Sequence, residues 1–297
     1  ASCGLLALFA CGAAATHINV ITFDGSIKPA SSVYLQGAIQ QSESDGAEAL
    51  LIELDTPGGL LSSTKDIIQA MLNAEVPVVV FVSPKGAWAA SAGTFITLAG
   101  HIAAMAPGTS SGAASPISAS GGGGTREEDD ERSDVSMEKA EKMTMAFMEA
   151  IANERKRNVE WALSAVREAE AIAQDEALKL GVIDLVATAR ADLLEQINGM
   201  EIEMEGEQVI LDLDDAEVRV IEMTGLTKFF HFLASPDIAM LLVMAAMLRP
   251  FVEFQQPGQL VPGLLGAFCL VLAGFAFPLL PVSWPGLLVC VRGIALS

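Results

Sequence analysis

Ala49-Leu-Leu-Ile-Glu-Leu-Asp-Thr-Pro-Gly-Gly59 opens on a nearly continuous apolar run and closes on a proline and two glycines. A short apolar run bounded by turn residues reads as a strand buried on both faces, the habit of parallel strands covered by helices. Downstream, Leu61 to Asn73 repeats apolar residues at helical spacing (Ile67, Ile68, Met71, Leu72), and Val76-Pro-Val-Val-Val-Phe-Val82 is a second strand. Upstream, Ile18-Asn-Val-Ile-Thr-Phe23 is a strand, Asp24-Gly25 a turn and Pro29 to Ser44 a helix. Strand and helix alternate, which predicts right-handed crossovers and a mostly parallel sheet in an α/β fold.

The order continues to Ala87-Trp-Ala-Ala-Ser-Ala-Gly-Thr-Phe95, where apolar helical sequence begins after Ser91. Small neighbours let backbone approach, and the first N–H groups of the helix face whatever lies near the hydroxyl. Ser91 is thus a candidate nucleophile. On local grounds alone the plainer reading, a helix N-cap, is the stronger, and the rest of the chain must decide. Further on, His101-Ile-Ala-Ala-Met105 is a short strand, and Ala106 to Pro116 an irregular loop. Helices are expected over Ser136 to Asn158, Ala171 to Leu180 and Arg190 to Gln196, with a strand over Gly181 to Val186. A boundary falls near Gly199, followed by a small module of two or three strands.

The two ends differ from the middle. Residues 1–15 are uncharged and close on Ala13-Ala-Ala15, as a partial signal peptide with its cleavage site would. Leu8-Phe-Ala-Cys11 offers a second reading as a lipoprotein site with Cys11 lipidated. Ile238 to Leu248 is apolar, and Gly263 to Leu280 carries no charge over nearly the length of about 20 residues that a membrane-crossing helix needs. With a third apolar segment from Trp284 to Ser297, this reads as a truncated transmembrane tail. The organisation expected is 1–15 signal, 16–199 main domain, 200–225 β connector and 226–297 transmembrane region.

All four cysteines lie in these end segments, so the middle has neither a disulfide framework nor a cysteine metal site. A net charge of -20 with 17 Lys and Arg argues against a nucleic-acid partner, since little would neutralise phosphate. Gly121 to Asp134, four glycines followed by an acidic run, reads as a solvated loop.

A serine nucleophile needs a base. Among the three histidines, His17 adjoins the signal junction, His231 precedes the tail and His101 lies at the far end of the Ser91 helix. Lysine can substitute when it is kept neutral in apolar surroundings. Lys139 shares a helical face with Met143, Ala146, Phe147 and Ala150, which predicts a buried stripe favouring the uncharged amine; a stripe-edge lysine can also snorkel to water. Lys142 leads toward Glu149 instead. For the oxyanion, Gly59 N–H after the buried strand and Ala92 N–H after the serine are candidate donors, although Gly58-Gly59 alone would serve an ordinary turn.

Leu54-Asp-Thr-Pro-Gly-Gly59, Ala90-Ser-Ala-Gly93, Met105-Ala-Pro-Gly-Thr109 and Glu176 to Asp184 together resemble the NfeD family of membrane-bound serine proteases, related to the Clp protease/crotonase fold. The likeness runs from about residue 16 to the end of the chain. It implies a Clp/crotonase-like spiral of parallel strands and helices with a Ser91/Lys139 dyad. The lysine is found by counting back from Phe147 to Asn158, which resembles the family's segment there. Where Clp proteases carry their histidine this chain has Ser115. The resemblance implies no cofactor and no metal, a homodimer or higher oligomer, and stomatin/prohibitin-like membrane partners cleaved in hydrophobic segments. It also implies a multi-pass protein of the cell membrane with an extracytoplasmic protease domain. Two other functions fit the same residues: a non-catalytic membrane scaffold, and a crotonase-like acyl-CoA enzyme.

Overall fold

The computed structural model describes residues 16–116, 130–204 and 206–223, with isolated positions between 225 and 272. The expected signal segment, the Gly121–Gly124 run and most of the apolar tail lie outside these residues. Among the described residues no helix is long and apolar enough to cross a membrane.

Five parallel strands form most of a six-stranded sheet: β1 (His17–Asp24), β2 (Ala49–Asp55), β3 (Val78–Val82), β5 (Ile102–Met105) and β8 (Leu185–Val186). β11 (Glu217–Val220) completes it by pairing with β1, His17 opposite Glu217. Between them run α1 (Pro29–Asp45), α2 (Leu61–Leu72) and α3 (Ala92–Ala99). β3 starts at Val78 rather than Val76, because Pro77 has no N–H to give a ladder.

β2 is buried on both faces, as its composition predicts, because alternate residues feed two cores. Leu50, Ile52 and Leu54 pack with Ile67, Ile68 and Met71 of α2 and with Phe95 and Leu98 of α3. Ala49 and Leu51 face the other way, with Phe81, Ile102 and Leu193 of α7 (Arg190–Ile197). The hairpin of β9 (Glu201–Met204) and β10 (Glu207–Ile210) closes that second core with Ile202 and Met204. The strands past Gly199 are therefore built into the main domain and do not stand apart from it.

A three-stranded sheet joins β4 (Trp88–Ala90), β6 (Ser110–Gly112) and β7 (Ala171–Ala173). β6 lies in the segment expected to be irregular, and β7 replaces the start of an expected helix, leaving α6 (Gln174–Lys179). Thr56 bridges to Ala89, handing the chain from the end of β2 to this smaller sheet. α4 (Asp130–Glu154) begins inside the acidic run, earlier than expected. It is followed by a helix that the sequence reading missed, α5 (Val159–Arg167), capped by the Asn158 side chain accepting from Trp161 N–H at 3.0 Å.

Candidate active site

Ser91 stands where β4 turns into α3. Its backbone lies at φ 51° and ψ −109°, a conformation that L-residues rarely hold without support, and its side chain makes no capping bond to the helix. An N-cap serine sits in the β region and accepts from an early helical N–H. The plain cap reading thus fails on both counts, and the hydroxyl is left for other use.

The loop after β2 meets Ser91 directly. Gly58 has φ 115°, and a Cβ placed on it would lie 2.7 Å from Ser91 Cβ and 3.2 Å from its Oγ. Only glycine lets backbone come this close to the hydroxyl. Gly58 N–H donates to Thr56 Oγ1 at 3.1 Å. Gly59 has no room for a side chain either, since a Cβ there would meet Ile27 O at 2.1 Å. Neither the Gly59 N–H nor the Ala92 N–H meets an acceptor among the described residues. The Gly58-Gly59 turn is therefore more than a reversal, because it lays backbone directly against a serine.

The far end of α3 is clamped, a feature that the sequence reading passed over. Arg157, whose side chain is 3% exposed, donates to Leu98 O, Gly100 O and Val182 O and pairs with Asp184 at 2.9 Å. Arg155 donates to Ala99 O and Met71 O. Two guanidinium groups thus satisfy carbonyls at the C-terminal end of α3, where the helix dipole favours positive charge. The signal was the basic triplet Arg155-Lys156-Arg157 in an acidic chain.

The histidines play structural parts. His101 Nδ1 accepts from Val78 N–H at 3.1 Å, and burial, with Arg155 and Arg157 nearby, holds its pKa down to about 3. His17 is buried, with Nε2 3.2 Å from Asp45 Oδ1. His231 lies outside the described residues. Ser115 donates to Val166 O.

Lys139 requires a correction. Its expected stripe is not the buried face of α4: Met143 is 65% exposed, and Lys139, Ala146 and Ala150 are exposed too. The helix instead buries Thr144, Met148, Ile151 and Ala152, while Phe147 is half-buried and stacks on Phe95 at 5.8 Å. Apolar residues occupy both sides of α4, so periodicity alone could not say which side packs within the chain. Lys139 lines a shallow cleft with Glu138, Lys142, Met143 and Ala146. Lys142 is paired with Glu138 at 2.6 Å, and that hydrogen bond and charge raise its pKa.

Taken together, a parallel α/β sheet and a strained serine on a strand-to-helix turn define a class of fold in which a hydroxyl is presented beside backbone N–H groups. The chain belongs to the NfeD family: the description "NfeD1b, N-terminal domain" matches residues 17–221, and "NfeD integral membrane domain" matches residues 237–297. It is 35% identical over 255 residues to the membrane-bound protease PH1510 of Pyrococcus horikoshii, covering 84% of this chain. The chain spans about half the length of the curated relatives it matches, 56% of PH1510 and 55% of the membrane protein NfeD1b of Bacillus subtilis. The fold matches a lysine-to-alanine variant of the 1510-N membrane-bound stomatin-specific protease in complex with a substrate peptide, at TM-score 0.65 and 33% identity, covering 74% of this chain and 98% of that one. A serine-to-alanine variant of the same protease gives TM-score 0.64 and 34% identity, covering 71% of this chain and 100% of that one. The family assignment makes this a membrane protein, as the apolar tail led us to expect.

Proposed function

We propose that this chain is a serine endopeptidase of the membrane, in which Ser91 attacks a peptide carbonyl and Lys139 takes its proton. The observation that carries this reading is the strained Ser91 turn, with Gly58 packed against the hydroxyl and the Gly59 and Ala92 N–H groups without acceptors among the described residues. The solved relative described as a stomatin-specific protease was studied with one serine or one lysine replaced by alanine, the two residue types invoked here.

In the reaction, Ser91 Oγ gives its proton to Lys139 Nζ and bonds to the carbonyl carbon. The carbonyl oxygen becomes an oxyanion facing the Gly59 and Ala92 N–H groups. Lys139 then returns the proton to the leaving amine, and water hydrolyses the acyl-enzyme by the same path. A lysine can act in this way only while unprotonated, which requires apolar cover. One chain leaves Lys139 and Met143 exposed, so the cover comes from a second copy lying on this face of α4, together with the substrate. The protein is on this reading a homodimer or higher oligomer.

Substrates are hydrophobic segments of stomatin/prohibitin-like membrane proteins, bound extended. The chain crosses the membrane more than once through residues 226–297 and holds its protease domain outside the cytoplasm. The mechanism calls for neither metal nor cofactor. Peptides spanning hydrophobic segments of such partners, incubated with the full-length protein and with its Ser91→Ala variant, should yield fragments by mass spectrometry only with the former. Equal fragmentation by both would remove Ser91 from the reaction.

A further inference from the structure

Ser91 can hold its unfavourable backbone only if neighbouring bonds over-determine it. One residue takes part in nearly all of them. Thr94 N–H donates to Ser91 O at 3.0 Å, and Ser91 N–H donates to Gly112 O at 2.9 Å. Thr94 Oγ1 lies 2.9 Å from both Ala89 O and Gly112 O, between which its single hydroxyl hydrogen is shared, and it accepts from Gly112 N–H at 3.0 Å. A ring therefore closes around Ser91, running from its carbonyl through Thr94 to Gly112 and back to its N–H. Thr94 is fully buried, so no water can stand in for its hydroxyl. The ring is pinned from outside as well. Gly112 packs so tightly on the chain entering β7 that a Cβ would meet Glu170 O at 2.2 Å.

We infer that Thr94 is a positioning residue for the reaction: its hydroxyl locks β6 to the turn, and thereby fixes where Ser91 Oγ and the Ala92 N–H point. The inference rests on the nucleophile reading of Ser91. A serine released from this ring relaxes toward ordinary φ, which swings the hydroxyl away from the Gly58–Gly59 loop. A displacement of about 1 Å is enough to cost on the order of a hundredfold in rate.

The test is the rate at which a fluorophosphonate probe modifies Ser91 in the full-length protein, separated into probe affinity and maximal rate. Thr94→Val keeps the shape and removes the hydroxyl, while Thr94→Ser keeps the hydroxyl. Thr94→Val should lower the maximal rate by about 10- to 100-fold with probe affinity unchanged, and Thr94→Ser should stay within about threefold of wild type. A purely structural threonine would instead show lost melting temperature with rates preserved in the folded fraction. Should Thr94→Val not fold, Thr94→Cys against Thr94→Ser makes the same comparison, because a thiol is a weak hydrogen-bonding group of similar size; about tenfold slower labelling of the cysteine variant is expected. Equal rates in either pair overturn the positioning role while leaving the serine nucleophile intact. A wild-type protein that is folded yet unlabelled at Ser91 overturns the nucleophile reading first, and this inference with it.

Discussion

The two halves of the proposed dyad are built differently. Ser91 is enclosed by its own chain: strained backbone, glycine loop and hydrogen bonds on both sides fix it within the domain. Lys139 stands on an exposed helix face among Met143, Ala146 and Ala150, with nothing of its own chain described above it. On the proposed dyad the nucleophile is complete in one copy, whereas the base would become fit only when something covers α4. That contrast would make turnover depend on the cover.

Removing either half should have the largest effect. Ser91→Ala is expected to lower peptide turnover by roughly 10⁴-fold or more and Lys139→Ala by roughly 10³-fold, both with melting temperatures near wild type, because neither side chain holds the core. Chromatographic size and activity should separate the halves further. Met143→Glu places a charge on the uncovered face and should cost about tenfold or more in turnover while shifting the protein toward monomer, yet leave the isolated fold as stable as before. If that variant remained fully active, the cover would not pass through Met143.

A smaller change is expected at Lys142, which its Glu138 partner holds protonated and therefore unfit as a base. Lys142→Ala should retain activity within about threefold, because an exposed i,i+4 pair contributes little. Smallest is the acid response of His101, on the enclosed side. Its pKa is held at about 3, against an ordinary histidine's 6.5, so between those values the unfolded chain binds the extra proton. Stability should therefore be fully present above pH 6.5 and fall as the pH drops through that window. His101→Asn, which can still accept the Val78 N–H, should flatten part of that slope in melting curves, with no effect on the pH dependence of turnover.

Much of this is legible in the sequence. The doubly buried Ala49–Leu54 run announced a parallel sheet, and two glycines after it with a serine among small residues marked where backbone would crowd a hydroxyl. Three features escaped for physical reasons. β6 and β7 are three residues each, too short for an alternating pattern to show, so their pairing is a product of the fold rather than of local propensity. α5 is nine residues long and four residues separate it from the end of α4, so the helix expected to Asn158 stops where it begins, and its own short apolar pattern passed as a connector. The face of α4 that packs was misjudged because both sides are apolar, and burial is decided by partners that a single sequence does not contain.

The most direct test of the dyad is site-resolved labelling of the assembled protein by a fluorophosphonate, followed over pH in wild type, Lys139→Ala and Lys142→Ala. The account predicts an adduct on Ser91 whose formation rises along a single ascending limb with pH in wild type and Lys142→Ala, and that collapses in Lys139→Ala. Rapid labelling of Ser91 in Lys139→Ala with the wild-type pH profile would contradict it.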